Sequence, residues 1–233
     1  MNLRNKVGLI TGGGSGIGYA VARALAREGV QTILASRRVD LLREKAGELS
    51  ASTQTRSYAV AMDVRSRKSI EAALGEVSKV FPTIDILINN SGVGADANAV
   101  DLREEDWDRV LETNLKGAFL LTRAVLPGMI TRRSGQIVNI ASQAAIHGYA
   151  RATAYCASKF GLVGFGKALQ EEVREYNIRV TNILPALVQV PPPAHDREIR
   201  KGVLQVEDLA ETVLFALRQP DRVKIDDLGL FHI

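Results

Sequence analysis

The stretch Val7-Gly8-Leu9-Ile10-Thr11-Gly12-Gly13-Gly14-Ser15-Gly16-Ile17-Gly18 joins an apolar run to a glycine-rich turn, and apolar residues at helical spacing continue over 17–28. A strand that runs into glycines and then into a helix suits three tasks: a tight turn, close approach of the backbone to a pyrophosphate, and close seating of the helix on a sheet. The first N–H groups of the helix then face the phosphates. An isolated glycine-rich turn can equally be a structural loop; its place after a strand and before a helix favours the phosphate reading. Gly12, Gly16 and Gly18 are spaced G-x-x-x-G-x-G, not G-x-G-x-x-G, and no P-loop lysine accompanies them. Gly14, Ser15 and Ile17 belong to the same candidate cradle.

Outward from this stretch, short apolar runs alternate with helical patterns. The runs are 7–11, 32–36, 58–63, 84–90, 135–142 and 178–185, and the helices are predicted over 17–28, 40–50, 67–80, 104–131, 153–176 and 207–218. A break at 102–106 is read as separating a short helix from a longer one. The last helix opens on acidic residues and stops before Pro220. Such alternation predicts an α/β fold, a doubly wound parallel sheet with helices on both faces, in one domain over 1–233. Strands apolar on successive residues, as in IDILINN and GQIVNIAS, fit a sheet covered on both sides. The irregular stretches are 91–103, 143–152 and 186–205, and the first two follow strand ends, where open α/β sheets bind ligands.

With 233 residues, 46% of them apolar, the chain can build a large core of its own. No run reaches the roughly 18 apolar residues that span a bilayer, and the N-terminus lacks a signal-peptide layout, so a cytoplasmic protein is expected. The one cysteine, Cys156, has no His or Cys cluster about it, and no metal is implied. It reads as a packed small residue. The 30 basic and 26 acidic residues are interleaved, which argues for a solvated surface and against a nucleic-acid stripe.

After the second run the chain reads Ser36-Arg37-Arg38, where a ribose-binding acid is expected. An acid would repel a 2′-phosphate, whereas a guanidinium pairs with one through a forked contact. NADP(H) is therefore favoured over NAD(H), with Arg37 the better candidate of the pair, although two solvated surface arginines would look the same. Asp63 and Val64 close the third run and are placed at the adenine; Asp63 would be equally unremarkable as a loop cap. Asn89-Asn90-Ser91-Gly92 either floors the ribose site or makes a turn.

Tyr155 and Lys159 stand one helical turn apart on one face. A phenol titrates near ~10, and a neighbouring cation favours phenolate, so Lys159 is expected to lower that value. Such a pair is common on helix surfaces. Here Ser142 lies upstream at a strand end, able to hydrogen-bond a substrate oxygen, though strand-end serines are more often turn caps. His147 and Tyr149, in the 143–152 loop, are candidates for substrate contact or for simple solvation. Trp107 is expected to pack its helix onto the sheet.

Taken together, T-G-x-x-x-G-x-G at 11–18, N-N-S-G at 89–92, Asn114, Ser142 and Y-x-x-x-K at 155–159 resemble the short-chain dehydrogenase/reductase family over residues 6–185. The resemblance implies a Rossmann fold, Tyr155 as acid/base, Ser142 orienting a carbonyl, Lys159 also bonding the nicotinamide ribose, and Asn114 supporting a water-linked proton relay. It also implies pairing of the helices at 104–131 and 153–176 into a homotetramer or dimer, with Gly161, Gly164 and Gly166 allowing close approach. Pro185 and the backbone of Val188 are expected at the nicotinamide. Val190 stands where the family carries a threonine, and Pro191–Pro193 reads as an extended segment beside a comparatively open pocket. The implied substrate is a small ketone, aldehyde or alcohol, a 3-oxoacyl thioester among them. A non-catalytic NADP-binding redox sensor on the same fold is the competing reading, and the intact Ser142, Tyr155 and Lys159 argue against it.

Overall fold

The strands form where apolar side chains alternate between two faces. The structure, a computed structural model, describes residues 2–190 and 202–232. Within them β1 (Val7–Thr11), β2 (Gln31–Ser36), β3 (Ser57–Ala61), β4 (Ile86–Asn89), β5 (Gly135–Ile140) and β6 (Ile178–Pro185) match the six predicted runs with shifted ends. Leu9, Ile33, Leu87, Ile137 and Val180 enter one apolar layer, while Ile10, Leu34, Ile88, Val138 and Ile183 enter the other. This is why both parities of each central strand are apolar.

Helices α1 (Gly16–Arg27) and α2 (Val39–Thr53) cover one face. The other is covered by α3 (Arg67–Val77), α5 (Gly117–Arg132) and α6 (Thr153–Val173). Helix α4 (Glu104–Leu111) runs into α5 through a π-helical turn, Glu112–Lys116. The expected break at 102–106 is thus corrected: no short helix precedes Glu104, and the irregularity sits one element later. Trp107 is also corrected, since it is 38% exposed and does not pin α4 to the sheet. α7 (Val206–Arg218) begins in a capping box between Gln205 and Asp208 and packs on α1.

Two short strands, β7 (Val188–Gln189) and β8 (Leu204–Gln205), pair with each other, and the expectation of an extended Pro191–Pro193 lies outside the described residues. A further strand, β9 (Asp227–Leu230), adds in parallel to β6 and was not predicted. The sheet order is β3-β2-β1-β4-β5-β6-β9, every pair parallel. Chain order reverses between β1 and β4, and the carboxyl ends there form the crevice where ligands of such sheets sit.

A polar chain crosses the sheet below that crevice. Asn89, Asn139, Asn182 and Asp227 are register neighbours on β4, β5, β6 and β9. Asn89 Nδ2 donates to Asn139 Oδ1, Asn139 Nδ2 to Asn182 Oδ1 and Asn182 Nδ2 to Asp227 Oδ1, at 2.9–3.0 Å. Lys167 closes the chain on Asp227 at 2.8 Å. Buried amides are costly unless satisfied, so each link supports the next. Gly166 of α6 lies over this chain, within contact of Asn182 Oδ1. Gly161 faces Leu115, and only Gly164 of the three has open space before it. Close approach thus serves packing inside the chain at Gly161 and Gly166, which corrects their expected place between subunits.

Candidate active site

The glycine turn opens the site at its phosphate end. Gly12 and Gly16 adopt φ of 65° and 54°, a left-handed conformation that a Cβ disfavours. A side chain at Gly18 would run into Gly12 O and Asn90 Nδ2, so the helix seats directly on the turn. Thr11 Oγ1 accepts from the N–H groups of Asn90 and Ser91, both at 2.9 Å, while Asn90 Nδ2 donates to Thr11 O at 2.8 Å. This ties the ends of β1 and β4 together. Ser15 precedes α1 in extended conformation, and no side chain caps the helix. Its first N–H groups are therefore available to a phosphate, and the cradle fits a dinucleotide.

Arg38 Nη2 lies 3.3 Å from Ser15 Oγ, at the rim of the turn, while Arg37 is exposed beside it. The structure thus places Arg38, rather than Arg37, in contact with the cradle. Asp63 is held in a fork by Arg65, at 3.1 and 2.7 Å, and accepts from the Arg65 N–H at 3.0 Å. The guanidinium keeps its carboxyl below the usual range. Its loop-capping alternative is the one this geometry favours. Val64 is buried against Gly117, in the apolar layer under α5.

At the other end, β5 stops at Ile140 and Ser142 opens a short 3₁₀ turn, its Oγ accepting from Ala144 N at 3.1 Å. Tyr155 and Lys159 rise from the first turns of α6. Burial pushes the Tyr155 phenol's pKa up, and the influence of the nearby Ser142 hydroxyl, which pulls it down, does not offset this. The expected lowering of Tyr155 by Lys159 is corrected on this point. Lys159 is itself buried, which drives its pKa down to about 8, and its Nζ donates to Ile140 O at 2.8 Å. That nitrogen stands 5.6 Å from the centre of the Tyr155 ring. Gly92 lies beside it: a Cβ there would stand 3.6 Å from Nζ, in ordinary contact.

Asn114 sits inside the π-helical turn, where the extra residue turns its side chain inward. It is 1% exposed. Its Oδ1 accepts from Val93 N at 2.8 Å, and its Nδ2 donates to Val93 O and Ser158 Oγ. Ser158 Oγ in turn donates to Tyr155 O at 2.7 Å. The turn thus clamps the loop after β4 to the helix that carries Tyr155.

A cleft of about 750 Å³ joins the two ends. Ile17, Asn90, Gly92, Pro185 and Val188 line its cofactor side, and Ser142, Tyr155 and Lys159 its reaction side. Tyr149 lines it also, whereas His147 does not and is solvent-exposed. Reading the sequence missed Val93, Gln143, Ala144, Leu187 and His232, which contribute to the walls. The first four flank motifs and were legible by proximity. His232 carried no local signal.

This fold and site define a dinucleotide-binding oxidoreductase. The chain belongs to the short chain dehydrogenase family, whose model matches residues 6–200. An uncharacterized oxidoreductase of Staphylococcus aureus is 31% identical over 226 residues, 97% of this chain and 96% of that protein. An NAD-dependent glycerol dehydrogenase of Listeria innocua is 38% identical over 187 residues, 80% of this chain and 72% of that one. Among solved structures, an alcohol dehydrogenase of the archaeon Thermococcus sibiricus complexed with 5-hydroxy-NADP superposes with a TM-score of 0.90 at 28% identity, covering 99% and 97% of the two chains.

Proposed function

We propose that this chain reduces a ketone or aldehyde to an alcohol, reversibly, with NADP(H) as cofactor. The observation that carries the reading is the gathering of Ser142, a half-buried Tyr155 and the Lys159 ammonium beside its ring on one cleft that continues to the glycine turn. When bound, the reduced nicotinamide supplies the hydride to the carbonyl carbon. Ser142 orients the carbonyl oxygen, and Tyr155 gives its proton to that oxygen as charge develops on it. A raised phenol pKa suits the neutral, proton-donating form. Lys159 restores the proton and holds the nicotinamide ribose, with Asn114 and a water behind it.

Gly12, Gly14, Ser15, Gly16, Ile17 and Gly18 cradle the pyrophosphate; Asn90, Ser91 and Gly92 floor the ribose; Pro185 and Val188 face the nicotinamide. Arg37 and Arg38 meet the 2′-phosphate, and the Thermococcus sibiricus enzyme's complex supports that preference. The NAD-dependent glycerol dehydrogenase of Listeria innocua stands on the other side. We also propose a homodimer or homotetramer assembled through α5 and α6, on which Phe119 and Phe160 are 42% and 48% exposed.

The test is NADPH oxidation with a panel of ketones and aldehydes. Turnover of at least one is expected, and Tyr155→Phe should cut kcat by at least about 10³-fold while NADPH still binds. Cofactor binding without turnover of any carbonyl or alcohol would favour a redox sensor instead.

A further inference from the structure

Strand β9 ends at Leu230, and its parallel register with β6 carries the chain out over the carboxyl ends of the sheet. Leu230 O accepts from Ala186 N at 2.8 Å, which holds the tail beside the cleft. Phe231 folds back over Gly229, and His232 lines the cleft that contains Ser142 and Tyr155.

The described residues of that lining include no Asp, Glu or Arg. Lys159 is buried and directed at Ile140 O. Besides Asn90, Ser142, Tyr155 and Lys159, the polar side chains described in that lining are Gln143, Tyr149 and His232. Each can donate a hydrogen bond, and no other described side chain occupies any of them. Apolar Val93, Ala144 and Leu187 line the same cleft, while Val190 stands against Gly16 at the glycine turn.

Resting on the reading of this cleft as a carbonyl-reducing site, we propose that His232 is a specificity-determining residue. With Tyr149 and Gln143 it receives a carboxylate at the end of the substrate remote from the reacting carbonyl. An anion on apolar walls is costly without donors, and a second carboxylate beside it would repel it; the described residues of the lining supply the donors and include no carboxylate. Tyr149 and His232 are both exposed, so a bound carboxylate keeps part of its water while gaining charge-assisted bonds. The substrate class is an oxo acid, or the corresponding hydroxy acid in reverse.

The experiment compares 4-acetylbenzoate with its methyl ester, two ketones that differ in the remote charge. In the unaltered protein kcat/KM favours the acid. In His232→Ala the acid-to-ester ratio falls about tenfold, mainly through KM, and His232→Arg restores most of it. An unchanged ratio in His232→Ala overturns the proposal. In parallel, binding of 4-acetylbenzoate to the complex with NADP⁺ is measured by calorimetry, where no turnover occurs. If neither ketone is reduced but binding weakens at least fivefold in His232→Ala, the reductase reading falls and the carboxylate site stands. Reduction of both ketones with binding indifferent to His232 has the opposite meaning, and loss of both turnover and binding overturns both.

Discussion

Lys159 shows how a single residue carries both a cost and a task. Its ammonium is buried, with a backbone carbonyl as acceptor and no carboxylate partner, and its pKa falls from 10.5 to about 8. The unfolded chain therefore binds more protons than the folded one between these values, so the contribution of Lys159 to stability rises with pH across that window. Below pH 8 the penalty is present in full, at about 3 kcal/mol by 1.36 kcal/mol per unit. The unfolding free energy of wild type relative to Lys159→Met should accordingly shift toward wild type by up to about that amount between pH 7 and pH 10, read by urea titration at each pH. A constant difference would show that folding leaves the Lys159 pKa at its unfolded value. The same poised pKa suits a residue that returns a proton to Tyr155 near neutrality. At the opposite end, Arg37→Asp and Arg38→Asp should each weaken NADPH by about tenfold or more relative to NADH, since an acid repels the 2′-phosphate and accepts from a free 2′-hydroxyl. Equal loss of both cofactors, measured by fluorescence titration, would remove the phosphate from this rim.

On the scale of elements, α6 shows why helix propensity alone misleads. Its three glycines each cost roughly 1 kcal/mol against alanine in a helix interior. Gly166 lies on the Asn139–Asn182 amides, Gly161 on the end of the Leu115 side chain, and Gly164 on open space. Leu115 can rotate away, whereas amides locked into a buried chain cannot without losing bonds. Gly166→Ala should thus destabilise by about 1–3 kcal/mol, Gly161→Ala by less, and Gly164→Ala should stabilise by up to about 1 kcal/mol, a ranking that chemical unfolding of the three variants checks. The π-helical turn before α5 is a second case. One extra residue per turn is invisible to apolar spacing, yet it directs Asn114 into the loop after β4 and so sets the position of Tyr155 through Ser158.

For the whole molecule, large apolar side chains remain outside the two core layers, with Phe119 and Phe160 on α5 and α6. Phe119 meets Phe165 edge-on at 6.2 Å, which fixes its ring at the surface. Sedimentation velocity should show a dimer or tetramer, and Phe160→Asp should shift it toward monomer by placing a charge where apolar faces meet. A monomeric wild type would refute assembly through this face. No described helix is long and apolar enough to cross a membrane.

The order of β1 to β6, the glycine turn and the spacing of Ser142, Tyr155 and Lys159 were determined by the sequence itself, because each is a local pattern: apolar periodicity, backbone freedom at Gly12 and Gly16, and one turn of helix. Strand β9 was not legible. Asp227-Leu228-Gly229-Leu230 is short, half exposed and interrupted by glycine, and it becomes a strand only because β6 offers an edge in register. Trp107, Gly161 and Gly166 were misplaced for a related reason, since residue type does not say which neighbour faces it. The net pKa of Tyr155 likewise depended on how deeply α6 sinks against β5, a balance of burial against charge that spacing along a helix does not contain. Tertiary structure alone decided what His232 would face, because its position follows from pairing with a strand more than 40 residues earlier in the chain.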